Sequence, residues 1–95
     1  MLYCFSQADY GFDKLVNLLS GVTETDAVVL WQDAVLLAVK YPQHFACCKG
    51  QCFAFEADIS ARNLTALLPK ESQVRLISLM ELVEISEQYF PQIAL

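Results

Sequence analysis

The stretch from Ala27 to Lys40, AVVLWQDAVLLAVK, constrains the fold more than any other part of this chain. Its first five residues, Ala27 to Trp31, are mostly strand formers with polar residues on both sides, which predicts a buried interior strand. A polar turn follows, and Asp33 stands where a carboxylate could accept the free backbone N–H groups of a following helix. The helix predicted from Ala34 to Lys40 is apolar up to its last residue. Because a surface helix should carry a polar stripe, we expect both sides of this one to be covered.

The composition favours a buried contact with a partner. A chain of 95 residues is expected to form one domain, residues 1–95. Its hydrophobic fraction is 56%, whereas ordinary domains have about 45–50%. Since a small domain cannot bury such an excess, part of it should be covered by another chain.

The charge and the apolar pattern exclude two classes of function. The net charge is −5 and the six basic residues are scattered, so the basic patch that direct nucleic-acid binding requires is missing. No apolar run approaches the ~20 residues of a membrane span. The first residues, MLYCFSQAD, lack the features of a signal peptide, which predicts a cytoplasmic protein with four reduced cysteines.

Strand and helix patterns alternate along the rest of the chain. Besides the central strand, short apolar runs predict three more strands: Met1 to Phe5, Gln51 to Phe55 and Val74 to Ile77. Four strands separated by helices predict a three-layer α/β/α fold around a mainly parallel four-stranded sheet, because each crossover returns the chain in the same direction.

Helix signals separate these strands. The first helix is predicted from an apolar stripe with helical spacing, namely Phe12, Leu15, Val16 and Leu19, widened by Leu18 and Val22. Pro42 is predicted to end the central helix, and Asp58 to cap a short helix from Ile59 to Leu64. Ser78 and Glu81 form a capping box for the last helix, after which Gln92 to Leu95 is read as a tail.

The residues most capable of chemistry lie in the segment from His44 to Cys52. Its residue types suit zinc, but the spacing of Cys47, Cys48 and Cys52 does not give the usual paired knuckle. Cys47 or Cys48, next to Lys49, could be a reactive thiol. We find no catalytic, cofactor-binding or metal-binding signature in the sequence. Cys47 and Cys48 therefore stay as the alternative thiol sites.

Four segments, in order and with matching spacing, resemble the DsrH/TusB family over essentially the whole chain. They are MLYCFSQ, VVLWQDAVLLAV, EADISARNL and the ending Gln92-Ile93-Ala94-Leu95. In the third segment, the family's DLxARGL pattern is matched by Asp58, Ala61, Arg62 and Leu64. The resemblance implies a sheet order of 3-2-1-4, with the flavodoxin-like layering of DsrEFH proteins.

The resemblance also implies a role and partners. The chain would be a structural subunit of a cytoplasmic persulfide relay, joined with a DsrE/TusD-like and a DsrF/TusC-like subunit in a heterohexamer. A TusB-like subunit would serve 2-thiolation of the tRNA wobble uridine, between a TusA-like sulfur donor and a TusE-like acceptor. The alternatives are a subunit of a dissimilatory sulfur-oxidation complex, a thiol-based sulfur carrier using Cys47 or Cys48, and a homodimer or other homo-oligomer of the chain alone.

Departures from the family pattern favour the TusB-like branch. Some DsrH-like members carry a cysteine on the first helix, where this chain has Leu18. Ala34 and Asn63 stand in place of family glycines, and Asn is the usual substitute where the backbone must be left-handed. Leu95 replaces a frequent tryptophan. The expected interface combines the apolar central helix with the tail, and its candidate residues are Val35, Leu36, Leu37, Val39, Ile93 and Leu95.

Overall fold

The computed structural model describes the backbone of residues 1–95 and every side chain except that of Phe12. The strands are β1 Leu2–Phe5, β2 Ala27–Leu30, β3 Gln51–Phe55, β4 Val74–Ile77 and β5 Gln92–Ala94. The α-helices are α1 Phe12–Ser20, α2 Leu36–Lys40, α3 Pro42–Ala46, α4 Glu56–Ala61 and α5 Leu79–Gln88. The predicted place of Phe12 in the stripe of α1 lies outside the described side chains.

All five strands are parallel and lie in the order β4-β3-β2-β1-β5. Strand β2 is the middle strand, and all four of its residues are buried. The predicted α/β fold with a parallel sheet, helices on both sides and an interior central strand is therefore confirmed. Trp31 is not part of that strand, because it follows the last paired residue and is 38% exposed.

The strand count and one end of the sheet differ from the prediction. The neighbours β3-β2-β1 are as expected, but β4 lies beside β3 instead of beside β1. The place beside β1 is taken by β5, where Leu2 is paired with Gln92. The predicted tail, Gln92 to Leu95, is therefore wrong for the residues of β5, because three residues are too few to show the alternation typical of a strand.

The strand order assigns the helices unequally to the two faces of the sheet. From β1 to β4 the chain moves steadily across the sheet, and right-handed crossovers place α1 to α4 on one face. The step from β4 back to β5 reverses direction and leaves α5 alone on the other face. Side-chain packing agrees, since Leu15, Leu37, Phe45 and Ile59 join one core cluster and Ile85 joins the other.

The central helix is more broken and more buried than predicted. A short 3-10 helix, Gln32–Val35, leads into α2. Pro42 does not simply end that helix but occupies the first turn of α3, a position where its missing N–H costs nothing. Val35 and Leu37 are core residues of this chain and have no exposed surface for a partner to cover. The expectation that another chain covers this helix is therefore wrong for these two residues.

The start of α5 follows the predicted capping box. The Glu81 backbone N–H donates to Ser78 Oγ at 3.2 Å, and the Ser78 backbone N–H donates to Glu81 Oε1 at 3.0 Å. These two bonds satisfy backbone donors that the first turn of a helix leaves open. Among the helices described, none is long and apolar enough to cross a membrane.

Candidate functional site: a thiol pair beside a cavity

The structure brings most of the sequence-predicted thiol segment to one place. A cavity of about 170 Å³ lies between α1 and the region of α3. It is lined by Val16, Leu19, Ser20, His44, Cys47 and Cys48. His44, Cys47 and Cys48 therefore share a cavity, whereas Cys52 lies in strand β3 and is only 4% exposed. In the described part of the chain, no group of three or more His, Cys, Asp and Glu side chains could hold a metal ion.

The Cys48 and Cys52 thiols lie on either side of the turn at Gly50, whose carbonyl oxygen accepts the Cys52 S–H at 3.8 Å, and their mutual interaction makes their acidities differ. The Cys52 thiol and the Gly50 backbone N–H stabilise a Cys48 thiolate and lower the pKa of Cys48 to about 6, although its partial burial opposes this. The pKa of Cys52 is raised, first by its bond to Cys48, then by burial and by the negative charge on Cys48. The arrangement therefore holds one thiolate and one thiol side by side near neutral pH.

A tight turn connects these two cysteines. Gly50 lies between them, and a Cβ atom at this position would come within 2.6 Å of both the Asp26 carbonyl oxygen and Val22 Cγ1. The Gln51 backbone N–H donates to the same Asp26 carbonyl oxygen at 3.3 Å. A side chain at position 50 would force the turn away from its neighbours, so glycine is required here.

The other cysteines differ from this pair. Cys47 is exposed. Cys4 is half-buried on β1, and burial raises its pKa, so a Cys4 thiolate is disfavoured. Leu18, which stands where some relatives would place a cysteine, packs partly buried against the core.

The two aspartates predicted as helix caps have a different role. Neither side chain caps a helix, because the 3-10 helix begins one residue before Asp33 and α4 begins two residues before Asp58. Instead, Arg62 bridges them: its Nη2 donates to Asp33 Oδ1 at 2.8 Å and its Nη1 donates to Asp58 Oδ1 at 3.2 Å. Asp58 Oδ2 also accepts the Gln32 backbone N–H at 2.6 Å, at a residue whose φ is +53°. These carboxylates hold the 3-10 helix after β2 and helix α4 after β3 together.

Asn63 fulfils the role expected of the glycine that it replaces. Its φ is +55°, and the next residue, Leu64, donates its backbone N–H to the Ile59 carbonyl at 3.0 Å. This six-residue closure is the Schellman ending of a helix. The left-handed residue thereby directs Leu64 into the core, where it is 6% exposed.

The crevice where the strand order reverses is occupied by the chain's own tyrosine. In open α/β sheets this position, between the carboxyl ends of β1 and β5, commonly receives ligands. Here the Tyr10 hydroxyl donates to the Leu95 carbonyl at 2.7 Å and accepts the backbone N–H groups of Ser6 and Gln7. The tyrosine thus connects the loop after β1 to the end of β5.

Exposed apolar side chains form a stripe on the outer side of α5. Leu79, Met80 and Val83 are 65%, 74% and 49% exposed, and their spacing places them together on the helix surface. We call these three residues the outer stripe of α5, and Phe90, just after the helix, is 73% exposed. This stripe is not among the interface candidates predicted from the sequence. The remaining interface candidates, Leu36, Val39, Ile93 and Leu95, are half-buried.

Three comparisons place the chain among known proteins. A family model described as DsrH-like protein matches residues 9–92. An uncharacterized protein of Haemophilus influenzae is 60% identical over 95 residues, and the match covers 100% of both chains.

The fold has a relative among solved structures. The crystal structure of the ychN protein from E. coli superposes with a TM-score of 0.71 at 15% identity, covering 99% of this chain and 97% of that one. At this identity the likeness shows the shared fold alone. The family model, by contrast, spans most of the sequence, and the chain therefore belongs to the DsrH family of sulfur-relay subunits.

Proposed function

We propose that the chain is a non-catalytic structural subunit of a cytoplasmic persulfide-relay complex that acts in 2-thiolation of the tRNA wobble uridine. DsrH-family subunits usually act with DsrE-like and DsrF-like partners. The proposed complex is a heterohexamer with a TusD-like and a TusC-like subunit. Sulfur would pass from a TusA-like donor to a TusE-like acceptor through a cysteine of the TusD-like subunit.

The observation that carries the proposal, beside family membership, is the outer stripe of α5. Fully burying one such side chain is worth roughly 1.5–3 kcal/mol. Three of them on one helix are a large apolar area for a small chain, and such areas mark protein interfaces. The half-buried Leu36, Val39, Ile93 and Leu95 are the further interface candidates from the sequence.

Leu18 supports the tRNA branch over dissimilatory sulfur oxidation. A relay cysteine on α1 would need to sit at the surface, and this chain has a leucine packed against its core there. Without that thiol, a role in which a partner carries the persulfide fits better.

The alternative function, a sulfur carrier using Cys47 or Cys48, has one observation in its favour: both cysteines line the cavity. A carrier, however, must keep its persulfide intact until the acceptor arrives. The Cys52 thiol beside Cys48 opposes this, because a neighbouring thiol attacks a persulfide or disulfide. We therefore keep structural support as the main role.

The first test is the composition of the native complex and its effect on tRNA. The chain, tagged in its own genome, should co-purify with two different DsrE/DsrF-like subunits in equal amounts. Deleting its gene should remove 2-thiouridine from the wobble position, measured by mass spectrometry of digested tRNA. Loss of the gene with unchanged 2-thiouridine would refute the tRNA role.

The second test places the interface. Val83→Glu should release the chain from the complex, because a carboxylate would be buried without a partner. Leu67→Glu is the matched control: Leu67 is apolar and 60% exposed but follows α4, on the opposite face of the sheet. If both variants assemble like the wild type, the interface does not include the outer stripe of α5.

A further inference from the structure

The two thiols of the pair differ in their access to the cavity, a difference that structural core cysteines would not need. Cys48 is half-buried and lines the cavity, so a small molecule can reach its sulfur. Cys52 follows the turn, donates to the Gly50 carbonyl oxygen at 3.8 Å, interacts with Cys48 and is closed off from solvent. The turn at Gly50, packed against Val22 and the Asp26 carbonyl, holds the two in register.

We propose that Cys48 and Cys52 are an attacking and a resolving thiol that together reduce the sulfur–sulfur bond of a small persulfide or disulfide. Cys48 would react first because it lines the cavity, whereas its partner Cys52 is buried. Cys52 would react second, from within the protein. Cys47 would take no part. Its side chain is exposed on the same segment, but it does not belong to the pair that interacts with Cys52.

With a persulfide, atoms and electrons balance in two steps. The Cys48 thiolate attacks the terminal sulfur of R–S–SH, which forms a Cys48 persulfide and releases the thiol R–SH. The Cys52 sulfur then attacks Cys48 Sγ, which forms the Cys48–Cys52 disulfide and releases hydrogen sulfide with the Cys52 proton. Two thiols are oxidised by two electrons, and the persulfide is reduced by the same two. With a disulfide R–S–S–R, the second step releases R–SH instead.

The electrostatics of the pair enforce this order. Before the first step, the bond to Cys48 and the charge on Cys48 are two of the three causes that keep the pKa of Cys52 raised. Once Cys48 has become a neutral mixed disulfide, both causes disappear and only burial remains. A Cys48 persulfide is more acidic than a thiol, so on that route a negative charge stays near Cys52. The resolving thiol is thus activated by the product of the first step, most strongly when that product is a mixed disulfide.

This inference uses the proposed function only as the source of persulfide, which a sulfur relay produces. In that setting the pair would discharge stray persulfide as hydrogen sulfide instead of passing it on. The chemistry itself does not depend on the complex. If the complex does not form but the two cysteines react as described, only the proposed function is overturned. If the complex forms but the cysteines do not react, only this inference is overturned.

The test treats the reduced protein with cysteine persulfide in one arm and glutathione disulfide in the other. Trypsin cleaves after Lys49 and so separates Cys47 and Cys48 from Cys52. Without reductant, peptides 41–49 and 50–62 should appear joined by a disulfide in both arms. Hydrogen sulfide should appear in the persulfide arm only.

Single variants assign the roles. Cys52→Ala should trap one extra sulfur on Cys48 and lower hydrogen sulfide release roughly tenfold, since the resolving thiol is gone. Cys48→Ser should abolish both products, and the adjacent Cys47→Ser should change neither. Thermal unfolding checks that Cys52→Ala is folded; if it is not, the joined peptides of the wild type and their loss in Cys48→Ser decide the question. A stable persulfide on wild-type Cys48, or no linkage to Cys52, would overturn the proposal.

Discussion

The two faces of the sheet are covered by helices to different degrees. One face is covered by α1 to α4, which enclose a large cluster of buried residues that includes Phe5, Val28 and Phe45. The other is covered by α5 alone, over a smaller cluster that includes Leu2 and Phe53. A groove of about 310 Å³ still borders Phe53. The comparison indicates that the four-helix face supplies most of the stability, and that the α5 face is the one left for another chain.

The helices themselves reflect this difference. Within the described residues, α5 is the one helix with a side-chain hydrogen bond at its N-cap, whereas α1 to α4 begin without one. Helices packed among neighbours are held by those contacts, but a solitary helix depends more on its own ends. The capping box of α5 thus compensates for thin tertiary support.

The largest expected effect comes from a matched pair of phenylalanines, one on each face. Phe5→Ala should cost about 3–5 kcal/mol of unfolding free energy, as in a fully packed core. Phe53→Ala should cost at least about 1 kcal/mol less, because Phe53 belongs to the smaller cluster and borders a groove into which its neighbours can relax. Denaturant unfolding of the isolated chain measures both values. Equal costs would mean that the two faces are equally well packed.

A second test concerns how closely the four-helix face depends on the end of α4. Asn63→Val should destabilise the chain by about 1–2 kcal/mol, because a branched side chain resists the left-handed backbone there. Asn63→Gly, the control, should unfold close to the wild type in the same thermal measurement. If both variants unfold alike, the left-handed turn is not what positions Leu64 in the core.

A third test removes the support of the solitary helix. Ser78→Ala should cost about 1 kcal/mol. The loss should appear first as faster amide hydrogen exchange in the first turn of α5, while the amides of β2 stay protected. Uniform acceleration across both regions would show that the two faces unfold as one unit.

The smallest expected effect sharpens the distinction between folding and assembly. Val83→Ala should change the stability of the isolated chain by less than about 0.5 kcal/mol, since the side chain is half-exposed and outside the core. The same substitution should weaken assembly measurably, by size-exclusion chromatography of the reconstituted complex. A large loss of stability in the isolated chain would mean that Val83 supports the α5 face itself.

The features predictable from the sequence were those with a strong local pattern. The strand formers of β2 and the alternation of strands and helices led to the parallel α/β sheet. The Ser78–Glu81 spacing located the start of α5, and Asn63 was correctly identified as a left-handed residue. Each depends on residues close together in the chain.

The features that the sequence did not reveal depend on contacts between distant segments. Asp58 was assigned to a helix cap, but its partner, the Gln32 backbone N–H, lies 26 positions earlier. Strand β5 was missed because only its pairing with β1 identifies it. Cys48 and Cys52 were weighed together only as metal ligands, because a sequence spacing alone does not show that two thiols interact.

The reversal of strand order also has a consequence for how the chain folds. The pairs β1–β2, β2–β3 and β3–β4 each close one crossover. The pair β1–β5, by contrast, joins Leu2 to Gln92, which are 90 positions apart. Closing so long a loop costs more conformational entropy than any other strand pairing in the sheet. The pairing that results contains only three residues of each strand. We therefore expect β5 to dock after the transition state and to exchange its amides as an independent, late-forming unit.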